Sequence, residues 1–272
     1  MSETFMHLRA IRFNGAAESE IDTFPFNLPI IKSFDALELT APVTFLVGEN
    51  GSGKSTFLEA LALAISAYTV GSEDVGADST LTAVRELSKR LRLVWRARTR
   101  NGFFLRAEDF FGYVKRIGAM EAELLAELKQ VEIEYAGRSE TAKGFARMPH
   151  VRELTALREQ YGRHLNTYSH GESFLELFQA RFQPSSLYLL DEPETPLSPM
   201  RQLTLISLMK QMVQQECQFI IATHSPILMA FPDAEILSFD ETPIRSVRYA
   251  ELEHVTITRS FLNDPEAFLR HL

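Results

Sequence analysis

The nine residues 48–56, GENGSGKST, constrain this chain more than any other stretch. They fit the pattern Gly-x4-Gly-Lys-Ser in full. An apolar segment ending at Val47 precedes them, and a helical pattern over 54–68, KSTFLEALALAISAY, follows. Glycines in such a turn let backbone N–H groups curl around phosphate oxygens without a Cβ clash. The helix that starts there points its positive dipole end at the same oxygens. Gly48, Glu49, Asn50, Gly51, Ser52, Gly53, Lys54, Ser55 and Thr56 are therefore the expected cradle of a nucleotide phosphate. In that pattern Lys54 reaches the β- and γ-phosphates and the Ser55 hydroxyl binds Mg²⁺. A glycine turn that matched by chance would lack the flanking strand and helix.

Strand-like and helix-like patterns alternate along the rest of the chain. Alternating residues 6–13 and the runs within 35–47 read as strands, and 81–91 reads as a short helix. Residues 70–80 read as an exposed loop. RLVWRART, then a turn at Arg100-Asn101-Gly102, then FFLRAE reads as a β-hairpin. Residues 110–161 are mostly helical, with breaks at Gly118, over a polar stretch 136–149 and at Gly162. A helix over 171–182 and a strand over 186–190 come next. Helix 199–216 has Ser198 as N-cap and Pro199 in its first turn. Strand 218–222 leads to a second Ser-Pro helix start at Ser225-Pro226. Short strands at 235–239, 245–249 and 254–258 and a helix from Pro265 close the chain. Strands alternating with helices predict an α/β fold with a mainly parallel sheet.

Three further motifs bear on chemistry. SLYLLDE over 186–192 is an apolar run ending in two adjacent carboxylates. A carboxylate at the end of a buried strand lies beside the phosphate loop in a doubly wound sheet. Asp191 is expected to hold Mg²⁺, directly or through water. Glu192 is expected to act as general base or to orient the attacking water. SHGES over 169–173 reads as a capping box from Ser169 to Glu172, and with Gly171 as a helix-start phosphate site too. His224 follows strand 218–222, which brings an imidazole to the same sheet edge as the phosphates. The plain alternative is a structural histidine.

These elements, in this order, resemble the ATP-binding-cassette (ABC) ATPase superfamily. GENGSGKST matches its Walker A motif, LYLLDEP its Walker B motif with the catalytic glutamate, and SHGES the signature loop. ATHSP matches the switch-histidine loop, and ETPLSP the loop between the two sites of a dimer. FFLRAEDFF, DEPETPLSP and CQFIIATHSPIL further resemble small stand-alone bacterial ATPases, nearer to repair and chromosome-maintenance proteins than to transporter subunits. The resemblance implies a P-loop NTPase fold with N-terminal antiparallel strands, as one domain over 1–272 with a helical subdomain over 109–182. It also implies ATP and Mg²⁺ as ligands, with Glu192, His224 and Lys54 as catalytic groups. A head-to-tail homodimer would form with ATP bound, Ser169 and Gly171 of one chain meeting nucleotide on the other. The signature departs from the usual pattern at Tyr168, His170, Glu172 and Ser173. The glutamine that normally assists Mg²⁺ is missing, and Glu108 stands where it is expected, so Glu108 joins Ser55 and Asp191 as a metal-site candidate. The 60 or so residues from 109 to 168 are too few for long coiled-coil arms.

Between Arg85 and Arg106 there are eight Arg or Lys and one acid, Glu86. Arg92, Arg96, Arg98 and Arg100 alternate with apolar residues, either as a solvated outer face or as a docking stripe for nucleic acid or an acidic partner. The overall net charge of −8 argues against a protein that coats nucleic acid with its whole surface. No apolar run spans a bilayer, no leader pattern opens the chain, and Cys217 is a lone cysteine, so a cytoplasmic location is expected. A transporter's nucleotide-binding subunit and a slowly hydrolysing switch are the alternative readings, a membrane partner being the less favoured.

Overall fold

The computed structural model describes residues 5–69, 82–161 and 170–270, without the side chains of 111, 113, 159–161 and 170–173. In chain order the elements are β1 (Leu8–Phe13), α1 (Pro29–Lys32), β2 (Ala36–Glu38), β3 (Val43–Val47), α2 (Lys54–Ile65), α3 (Thr82–Arg90), β4 (Leu91–Trp95) and β5 (Phe104–Arg106). Then come α4 (Ala107–Glu134), α5 (Glu140–Tyr161), α6 (His170–Arg181), β6 (Leu187–Asp191), α7 (Pro199–Val213), β7 (Gln218–Ala222), β8 (Glu235–Ser238), β9 (Arg245–Ser246), α8 (Glu253–Asn263) and α9 (Pro265–Leu269).

Two sheets form. The larger has the order β5-β6-β7-β3-β8-β9, parallel except for β9; the smaller is antiparallel, β2-β1-β4. All five residues of β3, β6 and β7 are buried, as strands covered on both faces must be. Their side chains alternate between two cores. Phe45, Tyr188, Leu190, Phe219 and Ile221 pack with Phe110, Phe174 and Phe178 on the α4, α6 and α7 side. Leu46, Leu189 and Ile220 pack with Phe57, Leu58 and Leu61 of α2 and with the small sheet on the other side. The sheets are tied by Gln218, whose buried amide accepts from His7 N at 3.0 Å and Leu8 N at 2.8 Å and donates to Leu8 O at 2.9 Å. The α/β fold with a mainly parallel sheet and N-terminal antiparallel strands read from the sequence is the fold observed.

Several local expectations are corrected. The hairpin over 92–108 does not form: β4 pairs with β1 in the small sheet, and β5 pairs in parallel with β6 in the large one. The intervening turn crosses between sheets rather than reversing the chain. Gly102 sits there at φ +112°, and a Cβ would lie 1.8 Å from the Leu187 carbonyl oxygen, so this crossing needs glycine for close approach as well as for its backbone angle. Helix α4 runs straight through Gly118, and residues 140–149 of the polar stretch are the start of α5, with Pro149 inside it. Cross-helix contacts hold α5 against α4: ion pairs Arg147–Glu132 at 3.3 Å and Arg158–Glu121 at 2.8 Å, and a hydrogen bond between His150 Nδ1 and Glu127 at 2.9 Å. Residues 254–258 lie in α8, not in a strand, because Leu252 and Val255 turn into the core from a helix start. Pro199 is in the first turn of α7 as expected, but Ser198 makes no side-chain cap bond. Ser225-Pro226 opens only a 3₁₀ turn, Leu228–Ala230. Residues 70–80 and the Ser169 half of the expected capping box lie outside the described residues. Among the described residues no helix is long and apolar enough to cross a membrane.

Candidate functional site

The C-terminal ends of the parallel strands converge on one edge of the sheet, where ligands bind in open α/β folds. Strand β3 delivers Gly48, β6 delivers Asp191 and Glu192, β7 delivers Thr223 and His224, and β8 delivers Asp240. Because β6 is two strands from β3, its carboxylates meet the first turn of α2. Ser55 Oγ donates to Asp191 Oδ1 at 3.2 Å across 136 residues of chain. Gly48 lies at φ +151°, and a Cβ there would be 2.9 Å from both Asp240 Oδ1 and Ser52 Oγ.

Lys54 is 5% exposed, and its Nζ donates to Gly48 O at 2.7 Å, Glu49 O at 2.8 Å and Ser52 Oγ at 3.4 Å. The ammonium is thus folded back into the loop formed by residues 48–53. Burial holds its pKa below the usual lysine value, against the pull of Asp240, Glu192 and Asp191. The Asp191 carboxyl is pushed up to about 7, chiefly by burial and secondarily by Glu192, Glu59 and Glu108, while the Ser55 hydrogen bond acts the other way. An oxygen pair of this kind suits a hard divalent cation. Among the described residues no three His, Cys, Asp or Glu side chains group to hold a metal.

Glu192 stands at φ +50°, its side chain 47% exposed, with its N–H held by Ala222 O at 2.9 Å. His224 Nε2 is 4.0 Å from Glu192 Oε1 and has no hydrogen-bond partner, though buried. The His224 backbone N–H donates to Glu194 Oε1 at 2.7 Å, so Glu194 braces the loop that carries the imidazole. Burial raises the pKa of Glu194 and lowers that of His224.

Glu108 lines one cleft with Ser55, Glu59, Arg106, Asp191 and Glu192, but its side chain is 78% exposed and stands 3.9 Å from Arg106 Nε. Arg106, buried like Asp191, is bonded to Asp109 at 2.7 Å and Glu59 at 3.0 Å. Gly171 falls in the first turn of α6, and Ser169 lies outside the described residues. Glu49, Asn50, Gly51, Ser52, Gly53 and Thr56 sit with Lys54 in the loop and the start of α2. Arg92, Arg96, Arg98 and Arg100 are exposed, though only Arg92 lies in a strand. Arg92 sits directly opposite Arg12 on β1, a like-charge pair the sequence reading did not contain.

Sequence reasoning missed Asp240 and His254. Asp240 had a signal: it ends an apolar strand pattern, as Asp191 does. It accepts from Glu49 N at 2.5 Å. His254 had none, since its stretch read as a strand.

Residues 26–103 match a family described as "AAA domain", and residues 175–230 match "AAA domain, putative AbiEii toxin, Type IV TA system". The first match contains the phosphate loop and the second contains Asp191, Glu192 and His224. No curated protein matches the chain. Among solved structures, a nucleotide-free ATP-binding cassette from an ABC transporter shares 14% identity at TM-score 0.47, over 97% of this chain and 99% of that one. CbiO1 of Clostridium perfringens, part of an ABC transporter complex, shares 15% at 0.46, over 98% and 100%. The Smc head domain of Pyrococcus furiosus shares 13% at 0.42, over 84% and 94%.

Proposed function

We propose that this chain, two segments of which match AAA-domain families, binds ATP with Mg²⁺ and hydrolyses it in a site completed by a second copy. The observation that carries the reading is the Ser55–Asp191 contact at the mouth of the phosphate loop. Ser55 and Asp191 would hold the ion, and Glu108, in the same cleft, would be a further oxygen donor. The backbone N–H groups of residues 48–56 cradle the phosphates. Lys54 exchanges its bonds to the Gly48 and Glu49 carbonyls for bonds to the β- and γ-phosphates. Glu192 takes the proton of the attacking water, and His224, beside it, contacts the γ-phosphate. Ser169 and Gly171 of the second copy close over that phosphate in a head-to-tail dimer. Residues 1–272 act as one ATPase domain, cytoplasmic, with 109–182 as the helical arm that presents Ser169.

Asp191 must be anionic to hold the ion, and its carboxyl is neutral below about pH 7. Protons therefore compete with Mg²⁺ on the acid side. Phosphate release titrated with Mg²⁺ at fixed ATP should show a half-saturating concentration roughly tenfold higher at pH 6 than at pH 8, beyond the change in the Mg–ATP complex itself. Release that needs no divalent ion, or a half-saturation that does not move, contradicts the reading.

A second reading concerns the partner. The opposed Arg12 and Arg92, with Arg96, Arg98 and Arg100 beyond them, form an exposed basic face suited to a polyanion. Duplex DNA bound there should be released steeply by salt, as neutralised phosphates regain counterions. Arg96→Glu with Arg98→Glu and Arg100→Glu should abolish the binding. Salt-independent binding, or none at low ionic strength, leaves that face merely solvated.

A further inference from the structure

We propose that His254 is a second imidazole of the phosphate site, which takes a γ-phosphate oxygen beside His224 and lets the C-terminal helix distinguish ATP from ADP. The proposal deepens the reading of this edge as an ATP site and rests on it.

Three observations bring His254 there. Helix α8 is anchored at its first turn, where Leu252 and Val255 are buried in the core with Leu228, Met229 and Phe231. Tyr249, just before it, donates its hydroxyl at 2.9 Å to Pro226 O, in the loop that carries His224. That brings the start of α8, and with it His254, against the loop that follows β7 and carries His224. Burial lowers the pKa of both His254 and His224, and Lys54 and Asp240 act on both rings, in opposite directions.

The ring is also unfinished. Its Nε2 is buried and has no hydrogen-bond partner, and the same is true of His224 Nε2. A buried ring nitrogen without a partner is costly, so two of them at one edge call for one ligand that serves both. Glu49 N already holds one oxygen of Asp240, and Lys54 Nζ is held by loop carbonyls, so neither completes the pair. A terminal phosphoryl group has several acceptor oxygens and sits within reach of Lys54. ADP has no such group, which makes His254 a discriminating contact rather than a general one.

The test compares ATP and ADP affinity by calorimetry with Mg²⁺ present, in a Glu192→Gln background so that ATP survives the titration. His254→Ala should weaken ATP by at least about tenfold, the loss of one hydrogen bond to a charged group, and leave ADP within about twofold. His254→Gln, which keeps an N–H donor, should recover part of the loss and serves where the alanine variant folds poorly. Unchanged ATP affinity in both variants overturns the proposal. Equal losses for ATP and ADP overturn it too, since His254 would then only support the loop. A parent protein that binds neither nucleotide sinks the ATP reading itself, and this inference with it.

Discussion

Glu192→Gln is expected to reduce ATP turnover by about 10²–10⁴-fold, the usual contribution of a positioned general base, while ATP binding is retained. The change is nearly isosteric and keeps Asp191 and its bond to Ser55 intact. The Glu192 side chain is half exposed, so an amide there leaves no buried charge unpaired. Single-turnover phosphate release separates chemistry from product release. Turnover within a few-fold of the parent would assign the base elsewhere, and Glu194 or Glu108 would become the next carboxylates to test.

Lys54→Ala should abolish tight ATP binding. Lys54 is 5% exposed, and its ammonium is held at 2.7 and 2.8 Å by two loop carbonyls, bonds it would exchange for bonds to phosphate oxygens. Two bonds to phosphate oxygens, at about 1.5–3 kcal/mol each, amount to a loss of at least about a hundredfold in affinity. Lys54→Arg should not rescue it, because a planar guanidinium does not fit where a compact ammonium is buried. Unchanged nucleotide affinity in the alanine variant would remove the phosphate-loop assignment.

What the sequence made legible was short-range. GENGSGKST carries its own turn, its own donors and its own helix start, so strand β3, the loop and α2 appear where their residues predict. The buried runs of β6 and β7 were legible because a strand covered on both faces needs unbroken apolar residues. Contacts made far along the chain were not. Arg100-Asn101-Gly102 looks like a hairpin turn, and only the approach of Gly102 to Leu187 shows that the chain is passing between two sheets. The start of α5 looks like a polar break, yet Arg147 and His150 there meet Glu132 and Glu127 of α4, far along the chain. His254 lies in a β-branched stretch, HVTIT, whose strand propensity is overridden by Leu252 and Val255 entering the core. The second imidazole was hidden by that misreading.

The head-to-tail composite site is tested most directly by light scattering of the Glu192→Gln protein, with and without saturating ATP and Mg²⁺. The account predicts a mass that doubles when ATP is added. It also predicts that adding Ser169→Arg to the same chain restores the single-chain mass while nucleotide still binds, because the arginine would crowd the γ-phosphate held by the other copy. A Glu192→Gln protein that binds ATP yet keeps the mass of one chain would contradict it.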